Sequence, residues 1–258
     1  MKIIHITDIH LLATKDENIY GVNPYQNLLR IAENILQIEA VNCIIITGDI
    51  AHNGEYESYL LVDELFRNIR VPVYWLQGNH DYSEVMLQVA NKIKIKTDKS
   101  FLINKTKFIL LQKVMKDEDN LSKNKARGFL FDYEMKFLER ELKEENFEQC
   151  VVVLHHPPIL SNSWLDRRIL DNRENFISML EQYPKVKIVL YGHQHNEQET
   201  EQNGITYISA PPVAYHFNPK GERFSLLDNK SGYAVVELKS DEIVVEFKYL
   251  GKKLEKNG

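Results

Sequence analysis

Five short stretches place Asp, His or Asn directly behind apolar runs. Thr7-Asp8-Ile9-His10 follows KIIHI, Thr47-Gly48-Asp49 follows NCIII, and Gln77-Gly78-Asn79-His80-Asp81 follows VPVYWL. Further on, His155-His156-Pro157 follows QCVVVL, and Gly192-His193-Gln194-His195 follows KIVLY. Imidazole and oxygen donors without thiolate favour Mn, Fe, Zn, Co or Ni over copper(I) or iron–sulfur clusters. Asp8, His10, Asp49, Asn79, His155, His193 and His195 are more ligands than one transition metal needs. They suit two divalent or trivalent metal ions sharing one carboxylate, with water or hydroxide in the remaining positions. Taken singly, each has a bland explanation: Asp8 or Asp49 could cap a turn or helix, His10 could lie on the surface, and Asn79 is an ordinary turn residue. Their shared placement behind successive apolar runs is what carries the information.

The elements that must position these residues follow from periodicity. KIIHIT, NCIIITGD and VPVYWLQGN read as strands. Between them, Pro24 to Ala40 puts Leu28, Ile31, Ala32, Ile35 and Ile38 on one helical face, with Asn23 as cap and Pro24 as first helical residue. Residues from about 55 to 68 and from Ser83 to Asn91 also read as helices. The first half is therefore βαβαβ, the signature of a sheet with crossover helices. KFILLQK, QCVVVLHH and KIVLYGH continue as strands, with helices over Tyr133–Glu145, capped by Asp132, and over Glu174–Gln182. GITYISA, GYAVVELK and EIVVEFKYL then follow without helices and read as antiparallel hairpins, with a turn near Ser240-Asp241. Two sheets packed face to face, with helices outside, accommodate both halves. In open parallel α/β sheets, ligands bind at the carboxyl ends of the strands, where the five stretches fall. Residues 11–22, 114–128 and 157–172 have the least pattern. One domain over residues 1–250 and a charged, frayed tail over 251–258 are expected.

The composition fits one α/β domain with a sizeable core. The chain of 258 residues is 43% hydrophobic, enough for a sizeable interior, and its formal net charge is -5. That acidic balance argues against stable nucleic-acid binding, so a phosphate ligand needs a local positive centre such as metal ions. Cys43 and Cys150 lie inside apolar runs, as core residues in a reducing cytosol do. No apolar run approaches the roughly 18 residues that span a bilayer. The first strand leaves no room for a cleavable signal peptide, so no membrane association and a cytoplasmic location are expected. The late hairpins or loops offer surface for a homodimer, although no apolar stripe marks one.

The blocks Asp8-x-His10, Gly48-Asp49, Gly78-Asn79-His80-Asp81, His155-His156-Pro157 and Gly192-His193-x-His195 resemble, in order, the five blocks of the calcineurin-like metallophosphoesterase superfamily. The HHPP block and the chain length resemble its bacterial branch of class III cyclic-nucleotide phosphodiesterases and glycerophosphodiesterases. The resemblance implies an α/β fold, a four-layer αββα sandwich of two mixed β-sheets flanked by helices, with a dinuclear centre. By motif position it implies that Asp8, His10 and His195 hold one metal, that Asn79, His155 and His193 hold the other, and that Asp49 bridges them. His80 becomes a non-ligand acid or phosphate-binding group. One departure is visible. Members acting on phosphoproteins or nucleic acid often continue the second block as GD-x-x-D-R-G, whereas this chain has His52 and Asn53 at the Asp and Arg positions. That removes the usual Asp partner of His80 and disfavours a protein phosphatase. His52 either lines the pocket or faces solvent.

The expected reaction is hydrolysis of a small-molecule phosphodiester, with a 3′,5′-cyclic nucleotide resembling cAMP as first candidate. A metal-bridging hydroxide would attack phosphorus in line, without a covalent enzyme intermediate. His80 would assist the leaving alkoxide, help typically worth about 10²–10⁴ in rate. A glycerophosphodiesterase or promiscuous phosphoesterase is the alternative. A nuclease is disfavoured by charge, and a non-catalytic scaffold by the presence of all seven ligand positions. His156 is the register alternative to His155, but strand alternation turns only one of them toward the metals. His5 reads as a hydrogen-bonded core histidine. His216 in APPVAYHF, and Arg167 with Arg168 and Arg173 near the loop after HHPP, are candidates for substrate phosphate. Tyr20, Trp164 and Tyr215 could stack on a base.

Overall fold

The computed structural model describes residues 1–112, 127–227, 231–239 and 242–251. The expected turn at Ser240-Asp241, the tail from residue 252 and most of the 114–128 segment lie outside the described residues.

The first half folds as the alternating pattern requires. Strand β1 (Lys2–Ile6) leads to helix α1 (Pro24–Ile35), β2 (Cys43–Ile46), α2 (Tyr56–Phe66), β3 (Val73–Trp75) and α3 (Ser83–Ala90). Then come β4 (Ser100–Ile103), β5 (Thr106–Leu110), α4 (Asp132–Leu142), β6 (Gln149–Val153), a 3₁₀ turn (Trp164–Arg168) and α5 (Arg173–Leu180). The chain continues through β7 (Val186–Tyr191), β8 (Gln198–Gln202), β9 (Ile205–Ser209), β10 (Gly232–Leu238) and β11 (Ile243–Tyr249).

Two mixed sheets result. One has the order β11-β10-β1-β2-β3, with β1, β2 and β3 parallel and β10 antiparallel to β1. The other has the order β4-β5-β6-β7-β9-β8, parallel from β5 to β9 with antiparallel edges. Strand pleating divides the apolar residues into layers. Ile3, Ile45, Tyr74, Phe108, Val151, Ile188, Ile208 and Ala234 fill the space between the sheets. Ile4, Ile6, Ile44 and Ile46 face the opposite way and bury Leu28 and Ile31 of α1 and Tyr59 and Val62 of α2. Ile109, Val152 and Val189 likewise bury Leu138 of α4 and Phe176 and Leu180 of α5. Each such aliphatic side chain, fully buried, contributes about 1.5–3 kcal/mol relative to exposure. These are the four αββα layers.

Several local expectations need correction. The run GITYISA, now β9, does not form a hairpin with β10. It pairs parallel with β7 and antiparallel with β8 in the other sheet. Strand β8 had no apolar signal because its sequence, QETEQ, is that of a polar edge strand, a composition that blocks edge-to-edge association. Asp132 is not the cap of α4. Phe131 occupies that position and Asp132 lies in the first turn, where a carboxylate complements the helix dipole. Asn23 does cap α1: its Oδ1 accepts from Gln26 N at 2.9 Å, with Pro24 following.

The stretch 157–172, which lacked pattern in the sequence, is tightly tied. Ser163 Oγ accepts from Leu165 N at 3.2 Å, and Asp166 accepts from the N–H groups of Ser161 and Ser163. No helix among the described residues is long and apolar enough to cross a membrane.

Candidate metal centre

The two parallel strand sets end on the same side of the molecule, and their exits form the site. Asp8, His10, Asp49, His193 and His195 all have positive φ, between 47° and 69°. Non-glycine residues in this region cost of order 1–2 kcal/mol each, and such strain collects at functional sites. Neighbouring segments hold these turns. The backbone N–H groups of Asp8, His10 and Leu11 donate to the carbonyls of Gly48, Asp49 and Ile50. Close approach also demands glycine. A Cβ at Gly192 would collide with Thr7 Oγ1, and one at Gly78 with the Asp49 carboxylate.

Asp49 lies at the centre. Its Oδ2 is 3.5 Å from His10 Nε2 and 3.4 Å from His155 Nε2. Its Oδ1 accepts from His80 N at 2.9 Å. On one side, His195 Nε2 is 3.1 Å from His10 Nε2 and 3.5 Å from Asp8 Oδ1. Ligand atoms of Asp8, His10, Asp49 and His195 all fall within 4.8 Å of one another. On the other side, His155 Nε2 is 3.1 Å from Asn79 Oδ1, and the His193 ring is 5.0 Å from the His155 ring. All of these side chains but Asn79, which is half-buried, are buried.

Hydrogen bonds fix how these side chains point. His155 Nδ1 donates to Thr47 O at 2.7 Å, and His195 Nδ1 donates to Tyr215 O at 2.7 Å. Each imidazole therefore presents Nε2 to the centre, the arrangement in which a backbone carbonyl fixes a ligating histidine. Asp8 is held by Thr7 Oγ1 and by His193 N, at 2.9 and 3.0 Å.

The charges are consistent with a cation. Burial holds His195 down at about 3, and burial keeps His10 and His193 well below the usual range, so all three are neutral donors at pH 7. With His10 Nδ1 against His52 Nδ1 at 3.1 Å, lone pairs of His10 and His195 converge beside two carboxylates. Burial raises Asp8 to about 7, and the nearby Asp49 adds to that rise. His155 goes the other way. Burial pulls it down, but the charge of Asp49, its hydrogen bond and Asp8 together raise it to about 9. Burial also opposes ionisation of Asp49, yet His155 and His10 hold its carboxyl well below the ordinary range. A cluster that concentrates acceptors in this way, and keeps one proton on His155 in their midst, is one in which a metal cation can replace that proton. The donor set fits two metal ions.

The other candidates divide. His80 borders the centre, its ring 4.7 Å from that of His10, and its Nδ1 donates to His52 O at 2.7 Å. His52 is half-buried at the pocket edge, its ring 5.1 Å from that of His80. His156 is buried with its ring 4.4 Å from that of His193, while His155 is the one that reaches Asp49. His5 is buried and pairs with Thr47 Oγ1 at 3.0 Å, as a core histidine. His216 turns to Glu197, 3.3 Å away. Arg167 is exposed, whereas Arg168 is half-buried.

Sequence reasoning missed two supports. Asp81 accepts from the N–H groups of Ile50, Ala51 and Gly78 and from Tyr59 Oη, and so fastens the β2 exit to the β3 exit. Its place in the GNHD block was visible, but its partners come from elsewhere in the chain. Thr7 and Thr47 lie just past the ends of β1 and β2, and nothing local in the sequence marks their role.

Known proteins resemble this chain in sequence and in fold. The sequence model of the calcineurin-like phosphoesterase family matches residues 1–197. A 3′,5′-cyclic-nucleotide phosphodiesterase of Nostoc sp. is 29% identical over 93% of this chain and 89% of its own. The 3′,5′-cyclic adenosine monophosphate phosphodiesterase CpdA of Escherichia coli is 30% identical over 93% of this chain and 86% of its own. Among solved structures, a dimetal phosphatase from Danio rerio shares the fold, with a TM-score of 0.71 at 16% identity over 95% of both chains. With all five of these strand exits inside the matched region, the chain belongs to the calcineurin-like phosphoesterase family and is a metal-dependent phosphoric ester hydrolase.

Proposed function

We propose that the chain hydrolyses 3′,5′-cyclic nucleotides, with Asp8, His10 and His195 holding one metal ion, Asn79, His155 and His193 the other, and Asp49 shared. The observation that carries this reading is the position of Asp49 Oδ2, within 3.4 to 3.5 Å of one imidazole from each set. Two metals so held supply Lewis acidity and the acidification of water near neutral pH. The imidazole and oxygen donors suit Mn, Fe, Zn, Co or Ni.

The chain's own groups do the rest. His80 donates Nδ1–H to a carbonyl, which leaves Nε2 to hold or deliver a proton for the departing alkoxide. The aromatic rim favours a nucleotide over a glycerol diester. Tyr20 is 55% exposed and Phe224 44% exposed, with ring centroids 5.7 Å apart. Tyr20 packs edge-on against Tyr215, whose ring lies 5.5 Å from that of His10. Exposed rings beside a metal centre offer a base a stacking surface, worth about 1–3 kcal/mol per base. The named relatives from Nostoc sp. and Escherichia coli support the same substrate class. The two buried free cysteines fit a reducing compartment, and we place the enzyme in the cytosol.

The test is a panel of cyclic nucleotides, glycerophosphodiesters and phosphomonoesters after manganese reconstitution. The highest kcat/KM is expected for a cyclic nucleotide. A preference for glycerophosphodiesters would replace this reading with the glycerophosphodiesterase one.

A further inference from the structure

The 3₁₀ turn Trp164–Arg168 packs through Trp164 and Leu165 against Tyr215 and Phe217, and its last residue has no acidic partner among the described residues. Arg168 Cζ lies 5.4 Å from the Trp164 ring centroid and 5.6 Å from that of Phe217. Phe217 in turn stacks on the His195 ring at 4.3 Å and 25°. One aromatic ring therefore separates the guanidinium from a proposed metal ligand. Arg168 is also within electrostatic reach of His193, Tyr20 and Tyr215. Its position is fixed, because Trp164 Nε1 donates to Asn218 O at 2.8 Å and the turn is capped at Ser163.

Three other arginines have acidic partners, Arg127 with Asp171, Arg140 with Glu141 and Arg173 with Glu174, whereas Arg30 donates to Gly251 O and Arg167 is exposed. Among the described residues, Arg168 makes no ion pair and no hydrogen bond. The acid on its own turn, Asp166, is committed to Ser161 and Ser163. A half-buried guanidinium over two rings, with no acidic partner among the described residues, has its desolvation cost offset only in part, and a bound anion would offset the rest. Its planar fork matches phosphoryl oxygens in a way that a metal ion or a histidine does not.

We propose that Arg168 is a substrate-binding residue that grips the phosphoryl group of the diester from the Trp164–Phe217 wall. This rests on the phosphodiesterase reading and adds a protein-borne cation to it. Arg168 thereby gives the cleft a fixed positive point in a chain of net charge -5.

The test uses the full chain loaded with manganese and Arg168→Gln, which keeps the stem and a planar end over both rings but removes the charge. The probes are bis-p-nitrophenyl phosphate, a diester without base or sugar, and inorganic phosphate. For the variant, KM for the diester and the dissociation constant for phosphate are expected to rise about ten- to a hundredfold, the loss of one charge-assisted contact. The kcat should change by less than about threefold and the manganese content should not change, and Arg168→Lys should recover part of the binding. Wild-type KM and phosphate affinity in a manganese-loaded Arg168→Gln protein would overturn the proposal, and so would a loss that tracks manganese release. A wild-type enzyme that cleaves no diester, yet loses phosphate affinity on Arg168→Gln, would sink the phosphodiesterase reading and leave Arg168 as an anion site.

Discussion

His80 donates its Nδ1 proton to the backbone carbonyl of His52 across 2.7 Å. This is the place where the GD-x-x-D-R-G pattern would supply an aspartate, and here a main-chain oxygen does the orienting. A carbonyl fixes the tautomer as an aspartate does, but contributes no full charge. His80→Ala should therefore retain both metals and lose about 10²–10⁴ in kcat. Steady-state kinetics beside metal analysis of the same sample decides this. Unchanged kcat would remove His80 from the reaction.

His52 has a second contact, Nδ1 to His10 Nδ1 at 3.1 Å. His52→Ala keeps the carbonyl and deletes only the ring. At saturating metal its kcat should stay within about tenfold of wild type, while metal affinity falls about ten- to a hundredfold, as for other groups that orient a ligand. A metal titration of activity separates the two effects.

Asp49→Ala should lower metal occupancy at both positions and cut kcat/KM by on the order of a thousandfold or more, because it removes the carboxylate proposed to be shared. Full activity in a metal-depleted variant would defeat the two-metal account.

Gly192→Ala is expected to be severe for a steric reason. The added methyl would strike Thr7 Oγ1 and press on Asp8 Oδ2, 3.0 Å away. Loss of metal binding together with a lowered Tm is the expected outcome, and a variant with wild-type metal content would contradict it.

Away from the site, stability should depend on pH through Glu141. Lys107 Nζ is 2.8 Å from Glu141 Oε2, and both side chains are largely buried, at 3% and 10% exposure. Burial alone would raise the Glu141 carboxyl, but hydrogen bonds from Lys107, Ser100 and Arg140 hold it at about 2. A folded-state value below the unfolded one stabilises the protein above about pH 4.5, and the contribution fades as pH falls toward 2. Glu141→Gln should thus cost about 1–3 kcal/mol at pH 7, since Glu144 stays 2.7 Å from Lys107 Nζ, with the gap to wild type narrowing below pH 4.5. Urea midpoints at several pH values test this, and a gap of constant size would contradict it.

The strand exits were readable because chemistry and periodicity coincide there. Asp8, Asp49, Asn79, His155 and His193 each follow an apolar run, and parallel sheets bring such ends together. The layers were readable for the same reason, since alternation in β1 sends Ile4 and Ile6 one way and Ile3 and His5 the other. What stayed hidden depends on contacts far apart in sequence. Strand β10 joins β1 from the other end of the chain. Strand β8 carries no apolar signal because it is an edge. The difference between Arg167 and Arg168 is one residue in a 3₁₀ turn, which only the Trp164 and Phe217 rings reveal.

Anomalous diffraction from crystals of the wild-type chain grown with excess manganese tests the central claim most directly. Two strong peaks sharing the Asp49 carboxylate are predicted, with Asp8, His10 and His195 around one and Asn79, His155 and His193 around the other. A single weak peak, or manganese bound away from Asp49, would contradict the account.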